Sequence, residues 1–129
     1  VYVCHSDDAG ATWSEPVRVN ADDTATDQFF TWMAVDQSTG GVHVVYYDRS
    51  ANVSASDVAT EVVVASSWDG GDTWEHVTVS ESAFVPGQAS FFGDYNNISA
   101  HGGVVRPIWT REDRGVLSIW TALLDFPAP

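Results

Sequence analysis

Two arginines that close strongly β-prone segments are the side chains best suited to binding an anion. Asp48-Arg49 ends one such segment, and Thr110-Arg111 ends another sixty-two residues later. A guanidinium is planar and can donate two parallel hydrogen bonds to one carboxylate. We therefore predict that Arg49 and Arg111, together with Asp48, bind a ligand at one end of the strands. In a second interpretation the arginines form solvated rim ion pairs, Arg49 with Asp48 or a neighbouring acid and Arg111 with Glu112 or Asp113.

Asp94 and Tyr95, in Phe91-Phe92-Gly93-Asp94-Tyr95, are a second polar candidate at the same end. We place them at the start of a strand near residues 95–99. Neighbouring residues of a strand point to opposite faces, so both can serve one reacting centre only if a bulge or turn forms at Gly93. A structural role for Asp94, accepting backbone N–H groups at the strand start, is the alternative.

A repeated octapeptide indicates the elements that position these residues. Ser6-Asp7-Asp8-Ala9-Gly10-Ala11-Thr12-Trp13 returns after sixty-one residues as Ser67-Trp68-Asp69-Gly70-Gly71-Asp72-Thr73-Trp74. Asp and Ser side chains accept backbone N–H groups in tight turns, Gly adopts positive φ, and Trp is a large apolar anchor. We predict a structural role for the ten residues that the two copies share: Ser6, Asp8, Gly10, Thr12, Trp13, Ser67, Asp69, Gly71, Thr73 and Trp74.

The remaining sequence repeats too, and it consists of short β-branched or aromatic runs between Gly, Asp and Ser clusters. Residues 29–49 align with residues 91–111 at a constant offset of sixty-two. No segment has a helical period with caps. We predict an all-β fold with a long loop from Arg49 to Thr60, and we divide the chain into 1–20, 29–80 and 91–124. The predicted strands are Val1–Cys4, Val17–Asn20, Phe30–Val35, Val42–Tyr47, Glu61–Ala65, His76–Val79, Tyr95–Ser99, Val104–Trp109 and Leu117–Leu124.

The octapeptide resembles the Asp-box, or bacterial neuraminidase repeat, of sialidase-like β-propellers. The resemblance implies blades of four-stranded antiparallel sheet, six when complete, with the Asp-boxes on the side away from the ligand. Residues 1–20 would be an outer half-blade, 29–80 a full blade and 91–124 an incomplete one. The rest of the ring would come from a larger protein or from further copies of this chain, three of which could close six blades. Secretion or a cell-surface location is also implied only by the resemblance, since the chain carries no signal peptide.

The resemblance implies a glycoside hydrolase that acts on glycans in the manner of an exo-sialidase. In such enzymes a carboxyl group is acid and base and an activated Tyr is the nucleophile, which would assign these roles to Asp94 and Tyr95. However, the Phe/Tyr-Arg-Ile-Pro signature of true sialidases is absent, so enzymatic activity stays open. The alternatives are a structural or adhesion module and a carbohydrate-binding propeller without catalysis. Aromatic residues would stack on sugar rings in the latter: Trp32, Tyr47, Trp109 or Trp120.

Charge and composition limit the partners. The formal net charge is −13, with 18 acidic residues against 5 basic ones, which disfavours nucleic acid and anionic membranes. No apolar run approaches the roughly 20 residues of a membrane span. We predict no cofactor and no metal. Ca²⁺ at Asp7-Asp8 or at residues 69–72 is chemically conceivable, but neither segment has the ligand pattern of an EF-hand.

Overall fold

The chain is an all-β protein. The computed structural model describes residues 1–54, 56–87 and 91–126, and within them every strand pairing is antiparallel and no helix occurs. Consequently, none of these residues forms a helix that could cross a membrane. The strands are β1 Tyr2–Val3, β2 Val17–Arg18, β3 Gln28–Val35, β4 Val42–Asp48, β5 Glu61–Ser67, β6 Glu75–Thr78, β7 Asn97–His101, β8 Val104–Asp113, β9 Val116–Thr121 and β10 Leu124–Asp125.

The strands form three sheets in chain order. The first sheet is β1–β2, and the second is the meander β3-β4-β5-β6. In the third sheet β8 is central, with β7 on one side and both β9 and β10 on the other. The first strands of the second and third sheets, β3 and β7, lie against each other, so these two sheets approach closely where their first strands meet.

The second sheet is covered on both faces. One face, which includes Val44 and Tyr46, packs against Val19 and the first sheet. The opposite face, which includes Val45 and Tyr47, packs against the third sheet. This double burial explains why β4 reads as a continuous apolar run with no polar alternation.

The constant offset of sixty-two is wrong for the first strands of the two repeats. Trp32 lies opposite Val45 on β4, whereas Ile98 lies opposite Pro107 on β8. If the second strands are aligned at sixty-two, the first strands are sixty-six residues apart, so no single offset fits both. The hairpin between β3 and β4 is longer than the two-residue connection between β7 and β8, which accounts for the difference.

In the second strands, residues that are sixty-two positions apart do not point in equivalent directions. Tyr47 and Trp109 are sixty-two residues apart, yet they point into one shared core from opposite sheets. If each sheet were related to the next by the same rotation, equivalent side chains would all point toward the next sheet in the series. The first sheet behaves in that way: Val3 faces the second sheet, and Val64, sixty-one residues on, faces the third. Since a shift of one residue moves a side chain to the other face, the packing requires an odd spacing.

Several predicted strand boundaries need correction. β3 begins at Gln28, earlier than predicted, and bulges between Phe29 and Trp32. β7 begins only at Asn97, so Tyr95 is not in a strand. The predicted last strand is interrupted after Thr121, opposite the part of β8 that contains Pro107, which has no backbone N–H to donate. The predicted long loop between β4 and β5 is confirmed over its described residues, 49–54 and 56–60.

Candidate functional site

Two of the predicted ligand residues, Asp48 and Arg49, lie at the end of the second sheet opposite the second Asp-box. Val42 pairs with Ser67 at one end, and Asp48 pairs with Glu61 at the other. Six steps along a strand separate these ends by about 20 Å. The Asp-box turn follows Ser67 and Arg49 follows Asp48, so no single small ligand contacts both.

Both Asp-box sequences form the same hydrogen-bonded turn. The Ser6 hydroxyl donates to the Asp8 carboxylate over 2.8 Å, and the backbone N–H of Thr12 donates to it over 2.8 Å. In the second copy the Ser67 hydroxyl donates to Asp69 over 2.8 Å, and Thr73 donates through both its hydroxyl and its N–H. These donors stabilise the charged carboxylates and hold the pKa of both aspartates well below the usual range. All of these partners lie within their own turn.

The tryptophans of the two turns differ in burial. Trp74 is half-buried against the core between the first and second sheets, and its indole N–H donates to the Gly71 carbonyl over 3.0 Å. Trp13 is 63% exposed. Gly10 and Gly71 both have positive φ, at 88° and 104°, as the turn requires. The hydrogen-bonded turn is thus common to both copies, but the packing of its tryptophan is not.

Arg49 is partly engaged by the protein. Its Nη1 donates to Asp27 at 3.4 Å and its Nε donates to Thr60 at 3.3 Å. Its guanidinium carbon lies 4.9 Å from the ring centroid of Phe29, a cation–π distance. The side chain is 21% exposed. Three of its five N–H donors have no partner among the described residues, so Arg49 retains the capacity to bind a carboxylate.

Asp48 faces away from Arg49. Its carboxylate accepts hydrogen bonds from the Gln28 amide over 3.1 Å, and from the backbone N–H and hydroxyl of Ser50. These bonds close the turn after β4. Asp48 lies on the same face of β4 as Tyr46, whereas Arg49 lies on the side of Tyr47, as the alternation along the strand requires. The two residues that the sequence suggested as one pair therefore belong to different faces.

Arg111 is buried, with 8% of its side chain exposed. Its Nε and Nη2 donate to the Asp113 carboxylate over 2.7 and 3.0 Å, and Nη1 and Nη2 donate to the carbonyl and hydroxyl of Ser82. The rings of Phe84 and Trp120 lie 5.6 and 5.0 Å from its guanidinium carbon. The bidentate pair lowers the pKa of Asp113. With four of five donors occupied, a ligand-binding role for Arg111 stays a prediction that these contacts do not support.

Asp94 and Tyr95 both lie outside the sheet. Gly93 has φ of 113°, a conformation open to glycine, and the chain turns there before β7 begins at Asn97. Tyr95 is 78% exposed and Asp94 is also exposed. The strand alternation that would have sent them to opposite faces does not apply, so the backbone leaves both free to face solvent. Their assignment as catalytic residues stays a prediction.

The aromatic residues considered for sugar stacking divide by burial. Tyr47 and Trp109 are 1% and 2% exposed, so neither ring can stack on a ligand. Trp120 is half-buried against the Arg111 guanidinium. Trp32, at 43% exposed, is the one member of that set with a substantially accessible ring.

Sequence reasoning missed the segment that fixes the end of β8. Besides the contact of Ser82 with Arg111, the Glu112 carboxylate accepts a hydrogen bond from the backbone N–H of Gly87 over 2.6 Å. A Cβ at Gly87 would lie 2.3 Å from a Glu112 oxygen, so a larger residue at this position would displace the Glu112 carboxylate. Pro86-Gly87 is a turn signal in the sequence, but nothing local indicates that the turn docks on a strand twenty-five residues later.

The described residues contain no cluster of three or more His, Cys, Asp or Glu side chains arranged to hold a metal ion. In comparisons with known proteins, no family model matches the chain, and no curated protein matches its sequence significantly. The structure thus defines the class as an all-β protein of stacked antiparallel sheets. Any closer assignment depends on the residues themselves.

Proposed function

We propose that the chain forms part of a sialidase-like Asp-box β-propeller, and that it binds glycans at the end of the sheets opposite the Asp-box turns. The observation that carries the proposal is the repeated turn itself. Two copies have the same Ser, Thr and backbone donors around one carboxylate, and each copy joins two neighbouring antiparallel strands.

The packing of the sheets supports the propeller. The second sheet uses one face toward the first sheet and the opposite face toward the third, and adjacent first strands lie together. This is the head-to-tail succession expected of blades around an axis. A two-layer sandwich would instead leave the outer face of each sheet to solvent.

The chemistry of the opposite end supports a glycan ligand. Within the part of the chain that the structure describes, Arg49 has N–H donors without a partner, and these suit a sugar carboxylate. Asp94 and Tyr95 add an exposed carboxylate and an exposed phenol on a segment outside the sheet. Loops carried by a rigid β scaffold are a common place for binding residues.

Glycoside hydrolysis is the second candidate function, and the joint exposure of Asp94 and Tyr95 favours it. A carboxylate and a phenol on one short segment could serve as the acid/base and the nucleophile of a retaining mechanism. Arg111, held by Asp113 and Ser82, would then stabilise the scaffold instead of binding the sugar.

The test measures binding and hydrolysis separately. We expect the chain to bind sialyllactose in isothermal titration calorimetry, and Arg49→Gln to weaken binding about tenfold through the loss of a charge-assisted contact. Tyr95→Phe should abolish any release of fluorophore from a fluorogenic sialoside. Tyr2→Phe is the matched control, because Tyr2 is also exposed, at 68%, but lies on β1.

Three outcomes separate the candidates. Binding with hydrolysis that needs Tyr95 supports the hydrolase, and binding without hydrolysis supports the carbohydrate-binding module. If neither sialyllactose nor a panel of neutral glycans binds, the glycan proposal is wrong and a structural or adhesion role is favoured.

A further inference from the structure

A cleft of about 270 Å³, with a mainly apolar surface and a few polar side chains, lies between the second sheet and the segment after β2. Four of its lining side chains project from one face of the second sheet, and they are Tyr46, Asp48, Val63 and His76. The segment after β2 contributes Asp22 from the other side. This face is the one turned away from Arg49, so the cleft is separate from the proposed glycan site.

The two carboxylates of the cleft are held in place but not saturated. Asp48 accepts three hydrogen bonds, from the amide of Gln28 and from the N–H and hydroxyl of Ser50. Asp22 also accepts three, from Asn20 and from two donors of the next turn. A carboxylate has about four acceptor positions. Each therefore keeps capacity for one more donor.

The other polar groups of the cleft are acceptors as well. His76 lies 2.7 Å through Nε2 from the carbonyl oxygen of Val19. Because a carbonyl only accepts, Nε2 carries the proton, and Nδ1 of the neutral ring is an acceptor. The hydroxyl of Ser50 donates to Asp48, so its remaining capacity is mainly to accept.

Tyr46 contributes a further, unpartnered polar group to the cleft. Its side chain is 1% exposed, and its hydroxyl forms no hydrogen bond with any other residue that the structure describes. Burial raises the pKa of this phenol, and the negative charges of Asp48 and Asp22 raise it further. The Tyr46 oxygen is not fully enclosed by the protein, and Tyr46 lines the cleft, so this oxygen can accept a hydrogen bond from a donor that enters the cleft.

We propose that this cleft binds a primary ammonium group. An ammonium has three N–H donors and no acceptor, which matches a site whose polar groups are acceptors. Its positive charge would be placed between Asp22 and Asp48, with the third hydrogen bond to the Tyr46 oxygen. The chain has no lysine and no arginine lines the cleft, so no side chain in the lining supplies the charge.

A metal ion fits less well. His76, Asp22 and Asp48 are not arranged as a metal-holding group, and no such group occurs elsewhere in the described residues. Amino sugars and aliphatic amines both carry an ammonium group, and this group is what the cleft would bind. The inference does not depend on the proposed glycan site, since it uses the opposite face of β4.

The experiment compares amines with a neutral analogue by chemical-shift mapping at physiological ionic strength. We expect glucosamine and ethylamine to shift the resonances of Tyr46, Val63 and His76, and N-acetylglucosamine to leave them unchanged. Asp48→Asn and Tyr46→Phe should each weaken glucosamine binding about tenfold. Binding of glucosamine alone would support an amino-sugar site, and binding of both amines would support recognition of the ammonium itself.

The control separates a built site from general attraction to an acidic protein. Asp7→Asn removes one negative charge from a side chain that is 94% exposed and remote from the cleft lining. It should leave glucosamine affinity unchanged. The proposal is overturned if Asp7→Asn weakens binding as much as Asp48→Asn, if N-acetylglucosamine binds equally well, or if no amine shifts the cleft resonances. Because Tyr46→Phe removes only the hydroxyl, it tests the cleft even if Asp48→Asn disturbs the turn.

Discussion

The hydroxyl of Tyr47 connects the second sheet to the third, and its removal gives a sharp test of how the sheets are held together. The hydroxyl donates to the carbonyl of Thr110 over 2.8 Å and accepts from the Thr110 N–H over 3.0 Å. β7 begins only at Asn97, opposite Ile108, so it does not extend far enough to pair with Thr110. The phenol thus occupies the place that a neighbouring strand would otherwise take.

Tyr47→Phe leaves both backbone groups of Thr110 without a partner. An unsatisfied buried polar group costs about 1 to 3 kcal/mol, and Thr110 is only half-buried, so we expect a total loss of about 2 kcal/mol. For a chain of this size that corresponds to a fall in Tm of roughly 6 to 10 °C. The ring itself keeps its contacts, including the stacking on Phe29 at 5.2 Å between centroids.

Tyr46→Phe is the matched control, because Tyr46 is the next residue, is equally buried and has no hydrogen-bond partner among the described residues. Removing this hydroxyl breaks no hydrogen bond, so Tyr46→Phe should be at least as stable as the parent chain. Urea unfolding followed by tryptophan fluorescence measures both, and hydrogen exchange should show the Thr110 amide unprotected in Tyr47→Phe alone. If the two variants lose equal stability, or if that amide stays protected, the bridging role assigned to Tyr47 is wrong.

Three further predictions concern turns and acid stability. Asp69→Asn should lower Tm while Asp72→Asn does not, because only Asp69 accepts the donors of its turn; equal losses in a thermal melt would contradict this. Gly103→Ala should unfold at clearly lower urea than Gly102→Ala: both have positive φ, costing about 1 kcal/mol, but a Cβ at Gly103 would also lie 2.2 Å from a carbonyl oxygen. Burial lowers the pKa of His43 in the folded chain. Its contribution to the free energy of unfolding is therefore complete above about pH 6.5, and it falls at lower pH, where the unfolded chain takes up the proton. Urea titrations at about pH 7.5 and 5.5 should therefore show a loss that His43→Gln removes.

Local chemistry predicted most of the elements but not their relative register. The turn residues around Asp8 and Asp69 have their hydrogen-bond partners within a few positions, so the sequence contains the whole motif. The strand β4 is different, because Val44 and Val45 are both buried and its apolar run shows no alternation. Without alternation nothing in the sequence indicates which residues face which neighbour.

The roles of Arg49 and Arg111 could not be assigned without knowing which face of its sheet each residue points to. Aligning Arg49 with Arg111 made them look like equivalent members of one ligand site. In the folded chain Arg111 projects from the third sheet into the interface with the second, where Phe84 and Trp120 flank it. Ser82 and Asp113 then complete its hydrogen bonds. The second interpretation of the sequence had named Asp113 as a possible partner, but only tertiary packing brings Ser82 there and buries the pair.

The separation of Asp48 from Arg49 makes the two proposed sites independent of each other. Adjacent residues at the end of a strand face opposite sides, and here one side leads to the cleft around Tyr46 while the other leads toward the third sheet. Asp48→Asn should therefore weaken amine binding without changing glycan affinity, and Arg49→Gln should do the reverse. Coupling between these two effects would mean that the sheet transmits changes from one face to the other, which a strand buried on both sides and paired along its full length with β5 has little freedom to do.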